Sequence, residues 1–186
     1  GDLMAGDDES TNQADASKPN ITTTSAIRLL LNHAADVDEA LQLLEQYNMH
    51  YDIGRAHHLF VSDAKGQAVC VEWVSNKMIV TESRVLNNHY LCEEKKGIGS
   101  GELSLKHEAT LLKAYSEHNG ILSGEQMADA MFAAIALPEA CDYGGTQWTI
   151  VYNQQQGSAT YYWRRDRAKY YTFFAGSEVE VIKGTK

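Results

Sequence analysis

From residue 22 onward, apolar residues recur at helical spacing. Ile27, Leu30 and Leu31 fall on one face, with Thr23, Thr24 and Ser25 placed to cap its start. Asp36-Val37-Asp38-Glu39 then matches a capping box, in which Asp36 accepts from the Glu39 amide, and Ala40, Leu41, Leu43, Leu44 and Tyr47 form a second apolar stripe. The pattern predicts a short helical hairpin with both stripes turned to a core. Past the Gly54 region the period switches to that of strands. Residues 58–62, 67–73 and 77–81 are rich in Val, Ile, Phe and Trp, and the short turns Asp63-Ala64-Lys65-Gly66 and Ser75-Asn76 impose antiparallel pairing, so a three-stranded meander is expected.

Residues 92–104 carry charge and three glycines and read as a loop. Two more helices are predicted at about 105–118 and 123–135. The second opens on another capping box, Ser123-Gly124-Glu125-Gln126, and is stopped by Pro138. A second meander follows over 147–153, 159–163 and 169–174. In its first run Trp148, Ile150 and Tyr152 alternate with Gln147, Thr149 and Val151, and Val151 among the polar positions predicts that both faces are covered. Residues 5–20 are polar and acidic, so an exposed loop or disordered lead is expected there. The organisation is then a lead over 1–20, a domain over 21–178 and a tail over 179–186. Helices, antiparallel strands, helices and antiparallel strands in that order predict an α+β domain with sheets between helix layers.

Composition narrows the function classes. The 186 residues are 44% hydrophobic and 22% charged, the balance of a chain that folds around a core. Lys and Arg number 16 against 25 Asp and Glu, a formal charge of −9, and no basic stripe interrupts it, which argues against a nucleic-acid partner. The densest basic cluster, Arg164-Arg165 with Arg167, reads as a solvated turn. No apolar run approaches the ~20 residues that span a bilayer, and no leader opens the chain, so no membrane partner and a cytoplasmic location are expected.

Candidate chemistry is sparse. Three cysteines without a C-x-x-C pair indicate neither a disulfide framework nor a zinc knuckle. Cys70 lies mid-strand as a small core residue, whereas Cys92 and Cys141 fall in loops with nothing nearby in sequence to depress their pKa. His57 and His58 are adjacent and on a strand would face opposite ways, and His33 and Asp36 sit at a helix junction, so no metal and no cofactor are expected. Gly97-Ile98-Gly99-Ser100-Gly101 resembles a phosphate loop in composition alone and reads as a connector. Thr146-Gln147-Trp148-Thr149, opening a strand after Gly144-Gly145, reads as β packing by Trp148. Asn87-Asn88 follows Val85-Leu86 at a strand end, where paired amides either close an Asx turn or present NH2 donors to a cleft.

Four segments together resemble one family: ITTTSAIRLLLNHAADVDEALQLLEQYNMH at 21–50, HHLFVSDAKGQAVCVEW at 57–73, VLNNHYL at 85–91 and TQWTIVYN at 146–153. In order and spacing they are similar to the linear amide C–N hydrolases, which include choloylglycine hydrolases, penicillin V acylases and related acyltransferases. The resemblance implies an N-terminal nucleophile hydrolase fold, an αββα sandwich. It also implies a mechanism in which an amino-terminal Cys attacks the amide carbonyl, its own α-amino group is the base, and polar groups stabilise the oxyanion. Asn88 matches the family Asn that contributes to that stabilisation.

Residue 1 here is Gly. The resemblance therefore implies the C-terminal portion of such a hydrolase, an incomplete sandwich in which the nucleophilic Cys, its accompanying Arg and Asp and a second Asn lie upstream. A further family Arg is expected near 104–108, where this chain has Lys106-His107-Glu108. The expected function of the complete protein is cleavage of linear amide bonds in small N-acyl substrates, of the bile-salt or penicillin V acylase type. The alternative is a non-catalytic remnant that serves as a binding or assembly module. Uncovered sheet edges would favour a homo-oligomer or a complementary amino-terminal chain as partner.

Overall fold

The computed structural model describes residues 12–51, 56–96, 98–99, 101–135 and 144–176. The expectations placed on Gly54, Pro138 and Cys141 fall outside these residues. The chain divides into two compact units, Gly1–Leu105 and Lys106–Lys186. Among the described residues no helix is long and apolar enough to cross a membrane.

In the first unit, β1 (Asn20–Thr22) leads into α1 (Thr23–His33) and α2 (Val37–Leu44), and the chain returns through β2 (Asn48–His50), which pairs in parallel with β1. The expected helical hairpin is present, but this strand pair at its base was not foreseen, because three-residue strands carry too little pattern to read. Thr22 takes the N-cap position of α1. The buried row of α1 is Thr23 and Ala26, with Leu30 against the core, while Ile27 and Leu31 are 45% and 78% exposed. The predicted stripe was thus rotated by one position, since small Ala26 permits the close approach and the bulkier neighbours flank it. In α2, Asp36 accepts from the Glu39 amide as expected, whereas the Glu39 carboxylate reaches back to the Ala35 amide.

The first meander comprises β3 (Leu59–Ser62), β4 (Ala68–Val74) and β5 (Lys77–Glu82), all antiparallel. Ser75 and Asn76 both have positive φ, 50° and 65°, as a two-residue hairpin turn requires. Asp63, buried in the other turn, accepts from the amides of Lys65 and Gln67 and also from Val37, which ties the meander to the start of α2. One face of β4 presents Val69, Val71 and Trp73 to a core with Ala26, Val37, Leu44, Met49 and Leu59. The other face presents Cys70, Glu72 and Val74, so this strand is buried on both sides.

Residues 12–19 are loop, yet tied down. Gln13 is buried and exchanges main-chain and side-chain hydrogen bonds with Met49. The Ala14 amide donates to Asn76 Oδ1, and Asn48 Nδ2 donates to the carbonyls of Asp15 and Lys18.

The second unit holds most of α3 (Glu102–Glu117), then α4 (Gly124–Ala133) and the second meander, β6 (Trp148–Asn153), β7 (Ser158–Trp163) and β8 (Tyr170–Phe174). The Ser123 capping box forms in both directions. Val151 and Tyr162 pack on Ala128 and Phe132 of α4. The opposite face is where the structure departs from the sequence reading. Trp148, Tyr152, Trp163 and Phe173 are 59%, 68%, 48% and 40% exposed, so the expected β packing by Trp148 and the cover over both faces are absent. Val151 sits with Thr149 on the helix-covered side, which explains the break in alternation without a second cover. The basic turn is also more than solvated. Arg167 binds Glu125 and Asp129 of α4 and the Tyr162 hydroxyl, and its guanidinium lies over the Phe132 and Tyr162 rings.

Candidate active site

Segment 85–92 leaves the first meander and crosses the inner face of β4. Asn87 and Asn88, the paired amides of the sequence reading, part company here. Asn88 is exposed, and its main-chain N–H donates to Ser104 Oγ at 3.2 Å. Asn87 is half-buried, and its Nδ2 is shielded from solvent with no hydrogen-bond acceptor among the described residues. The same Ser104 hydroxyl meets His89 Nδ1 at 2.9 Å, and Ser104, in the first turn of α3, is itself buried. Both residues are thereby fixed by one hydroxyl.

Beneath this segment lies a carboxylate that sequence reasoning passed over. Glu72, mid-strand in β4, has no solvent exposure. Its two oxygens accept from consecutive amides of the crossing segment, Oε1 from Leu91 at 2.9 Å and Oε2 from Cys92 at 2.7 Å. His58, equally buried, brings Nδ1 to 3.4 Å from Glu72 Oε1. Burial pushes the Glu72 carboxyl upward, but the hydrogen bonds from His58, Leu91 and Cys92 outweigh it and hold the group below its usual range. Burial lowers the His58 pKa against the pull of Glu72, and a hydrogen bond with the Asn87 backbone also favours its charged form. Glu72 thus links β4 to the far end of the segment, at Leu91 and Cys92. The one signal available in the sequence was an ionisable residue inside the apolar run AVCVEWV.

Neither described cysteine, Cys70 nor Cys92, fits a nucleophile. Cys70 is fully buried 3.9 Å from His58 Nδ1, and burial, reinforced by the Glu72 charge, pushes its thiol strongly upward. Cys92 lies in an irregular segment as expected, yet it is buried, and desolvation raises its thiol too. His58 Nδ1, Cys70 Sγ and a Glu72 oxygen lie within 4.8 Å of one another, so these three are the described residues that could hold a metal ion. Both Glu72 oxygens are already committed to amides, and the cluster is accounted for as a hydrogen-bonded one. His57 is not part of this cluster, and its ring stacks on Tyr51.

A family model described as acyl-coenzyme A:6-aminopenicillanic acid acyl-transferase matches residues 11–168, a span that takes in the first meander, the whole of segment 85–92 and the first two strands of the second meander. The chain belongs to this family. No curated protein sequence matches it. Among solved structures, a mutant of conjugated bile acid hydrolase from Clostridium perfringens is similar at TM-score 0.67 and 13% identity, covering 93% of this chain and 70% of that one. A second variant of the same hydrolase gives TM-score 0.60 at 12% identity, with 100% and 72% covered. Penicillin V acylase from Agrobacterium tumefaciens gives TM-score 0.54 at 15% identity, with 88% of this chain and 59% of that one covered. These likenesses show the fold, that of the N-terminal nucleophile hydrolases with their αββα architecture, in line with the helices and antiparallel sheets found here.

Proposed function

We propose that this member of the acyl-transferase family belongs to a hydrolase of linear amide C–N bonds acting on small N-acyl substrates, and that its described residues supply the oxyanion-stabilising part of the site. The observation that carries this is the placement of Asn88. It is exposed on an irregular segment whose main chain is held by Ser104 on one side and by Glu72 on the other. A preorganised donor of this kind stabilises the charge that develops on a carbonyl oxygen under attack. The nucleophile in this reading is the amino-terminal Cys of the complete domain, since Cys70 and Cys92 are buried thiols held protonated. The substrate class is that of the bile-salt and penicillin V acylases, a small molecule bearing an acyl amide.

Asn88→Ala in the complete hydrolase tests the reading. With an N-acyl p-nitroanilide as probe, turnover should fall by ~10²–10³ with little change in stability. Turnover close to that of the parent protein would remove Asn88 from the mechanism, and hydrolysis through Cys70 or Cys92 would replace it.

One observation favours the alternative of a binding or assembly module: the exposed face bearing Trp148, Tyr152, Trp163 and Phe173. Contiguous apolar surface of this kind marks an interaction site. In that reading the face receives a second copy or a complementary chain. Sedimentation velocity across a concentration series separates it, because Tyr152→Ser should then shift the chain from associated to monomeric.

A further inference from the structure

A carboxylate in the middle of a strand buried on both sides is costly unless it is fully hydrogen-bonded. Glu72 meets that condition through groups outside its own sheet, the amides of Leu91 and Cys92. His58 Nδ1, 3.4 Å from Glu72 Oε1, completes the buried pair. Asn88 stands three residues ahead of the Leu91 anchor, with its own amide tied to Ser104 Oγ. The segment itself has no helix or strand hydrogen bonding to define its path. Its ties include Ser104, to Asn88 and His89, and the Ile98 carbonyl, to the Tyr90 amide.

We propose that Glu72 and His58 are positioning residues for Asn88: the buried pair carries the rigidity of β4 into segment 87–92 and sets where the Asn88 side-chain donor stands. This rests on the reading of Asn88 as oxyanion donor. The chemistry is specific to a carboxylate. Leu91 and Cys92 each present an N–H, and two oxygens of one planar group accept both. Glu72→Gln keeps the volume and removes the charge, but turns an NH2 donor toward one of those N–H groups, so one tie must open. Displacing a positioning contact by about 1 Å is enough to cost ~10²-fold in rate.

Two measurements on Glu72→Gln test the proposal. In the 186-residue chain, NMR should show the Leu91 and Cys92 amides losing exchange protection and the Asn88 side-chain amide signals moving, while Val69 and Val71 keep theirs. In the complete hydrolase, kcat should fall by ~10- to 100-fold with KM unchanged. Glu72→Gln combined with Asn88→Ala should be no slower than Asn88→Ala alone, because the first acts through the second. Ser104→Ala, which removes the tie to the Asn88 amide at little risk to the fold, should give the same split between kcat and KM at a smaller size. Unmoved Asn88 signals in Glu72→Gln, or rate losses that multiply in the double variant, would overturn the proposal. Unchanged turnover in Asn88→Ala would instead overturn the reading of Asn88, whichever way the NMR result falls.

Discussion

The two meanders share a topology and differ in what covers them. In the first, β4 is buried on both faces, by the helical hairpin on one side and by segment 85–92 with Tyr90 and Cys92 on the other. In the second, α4 covers one face and the aromatic face stays open. Three antiparallel strands with similar apolar content therefore make two different objects. The side chains of β4 answer to neighbours on both faces, so a buried ionisable residue must be fully paired there. On β6 to β8 the outward Trp148, Tyr152, Trp163 and Phe173 meet no covering layer among the described residues of their unit, and these large aromatics stand in solvent.

The comparison is broken most sharply by truncating one tryptophan in each sheet. Trp73, 1% exposed, packs in the first core, whereas Trp148 is 59% exposed. Trp73→Ala should cost ~3–5 kcal/mol and Trp148→Ala less than about 0.5 kcal/mol, read as urea-unfolding midpoints. Equal losses would mean that the aromatic face is covered in solution.

Next in size is Glu72→Ala, which leaves the Leu91 and Cys92 amides buried without their acceptors. A loss of ~3 kcal/mol is expected from denaturation curves. Thr149→Ala, at a buried polar position of the second sheet, should cost clearly less.

Acidification sharpens the contrast further. Glu72 and His58 both have folded-state pKa values below their ordinary 4.5 and 6.5. A depressed pKa gives stability that is complete above the ordinary value and is lost as pH falls through the folded one. The first unit should therefore weaken as pH drops below about 6.5, through His58, and further below 4.5, through Glu72. Amide exchange followed from pH 7 to pH 4 should show Val71 losing protection before Val151, and Glu72→Gln should flatten the lower part of that loss. The smallest effect is expected from Arg167→Ala. It removes ion pairs with exposed carboxylates and the packing of the guanidinium over Phe132 and Tyr162. Roughly 1 kcal/mol should be lost, confined to the second unit in an exchange experiment.

The elements of both meanders could be read because strand periodicity and turn chemistry are local. Ser75-Asn76 and the two capping sequences each announce themselves within four residues. Cover is not local. Nothing around Trp148 distinguishes an exposed aromatic from a buried one, and the rotation of the α1 stripe from Ile27 to Ala26 depends on how closely a neighbour approaches. Asn88 was legible only through likeness to a family, since its own neighbours allow a turn as readily as a cleft. The pairing of Glu72 with His58 was missed for a related reason: His58 is 14 residues before Glu72, the Leu91 and Cys92 amides are 19 and 20 residues after it, and an isolated ionisable residue in an apolar run does not state what it binds.

The hydrogen bonds that fasten Gln13 and Ala14 to Met49 and Asn76 bear on the order in which the first unit assembles. The helical hairpin and the meander close over short stretches of chain, but the latch from Ala14 to Asn76 bridges 62 residues. Loop-closure entropy makes such contacts late, after the local ones exist to receive them. The stretch around Gln13 should then be the last to dock and the first to detach, a reporter of early unfolding placed at the opposite end of the unit's sequence from segment 85–92.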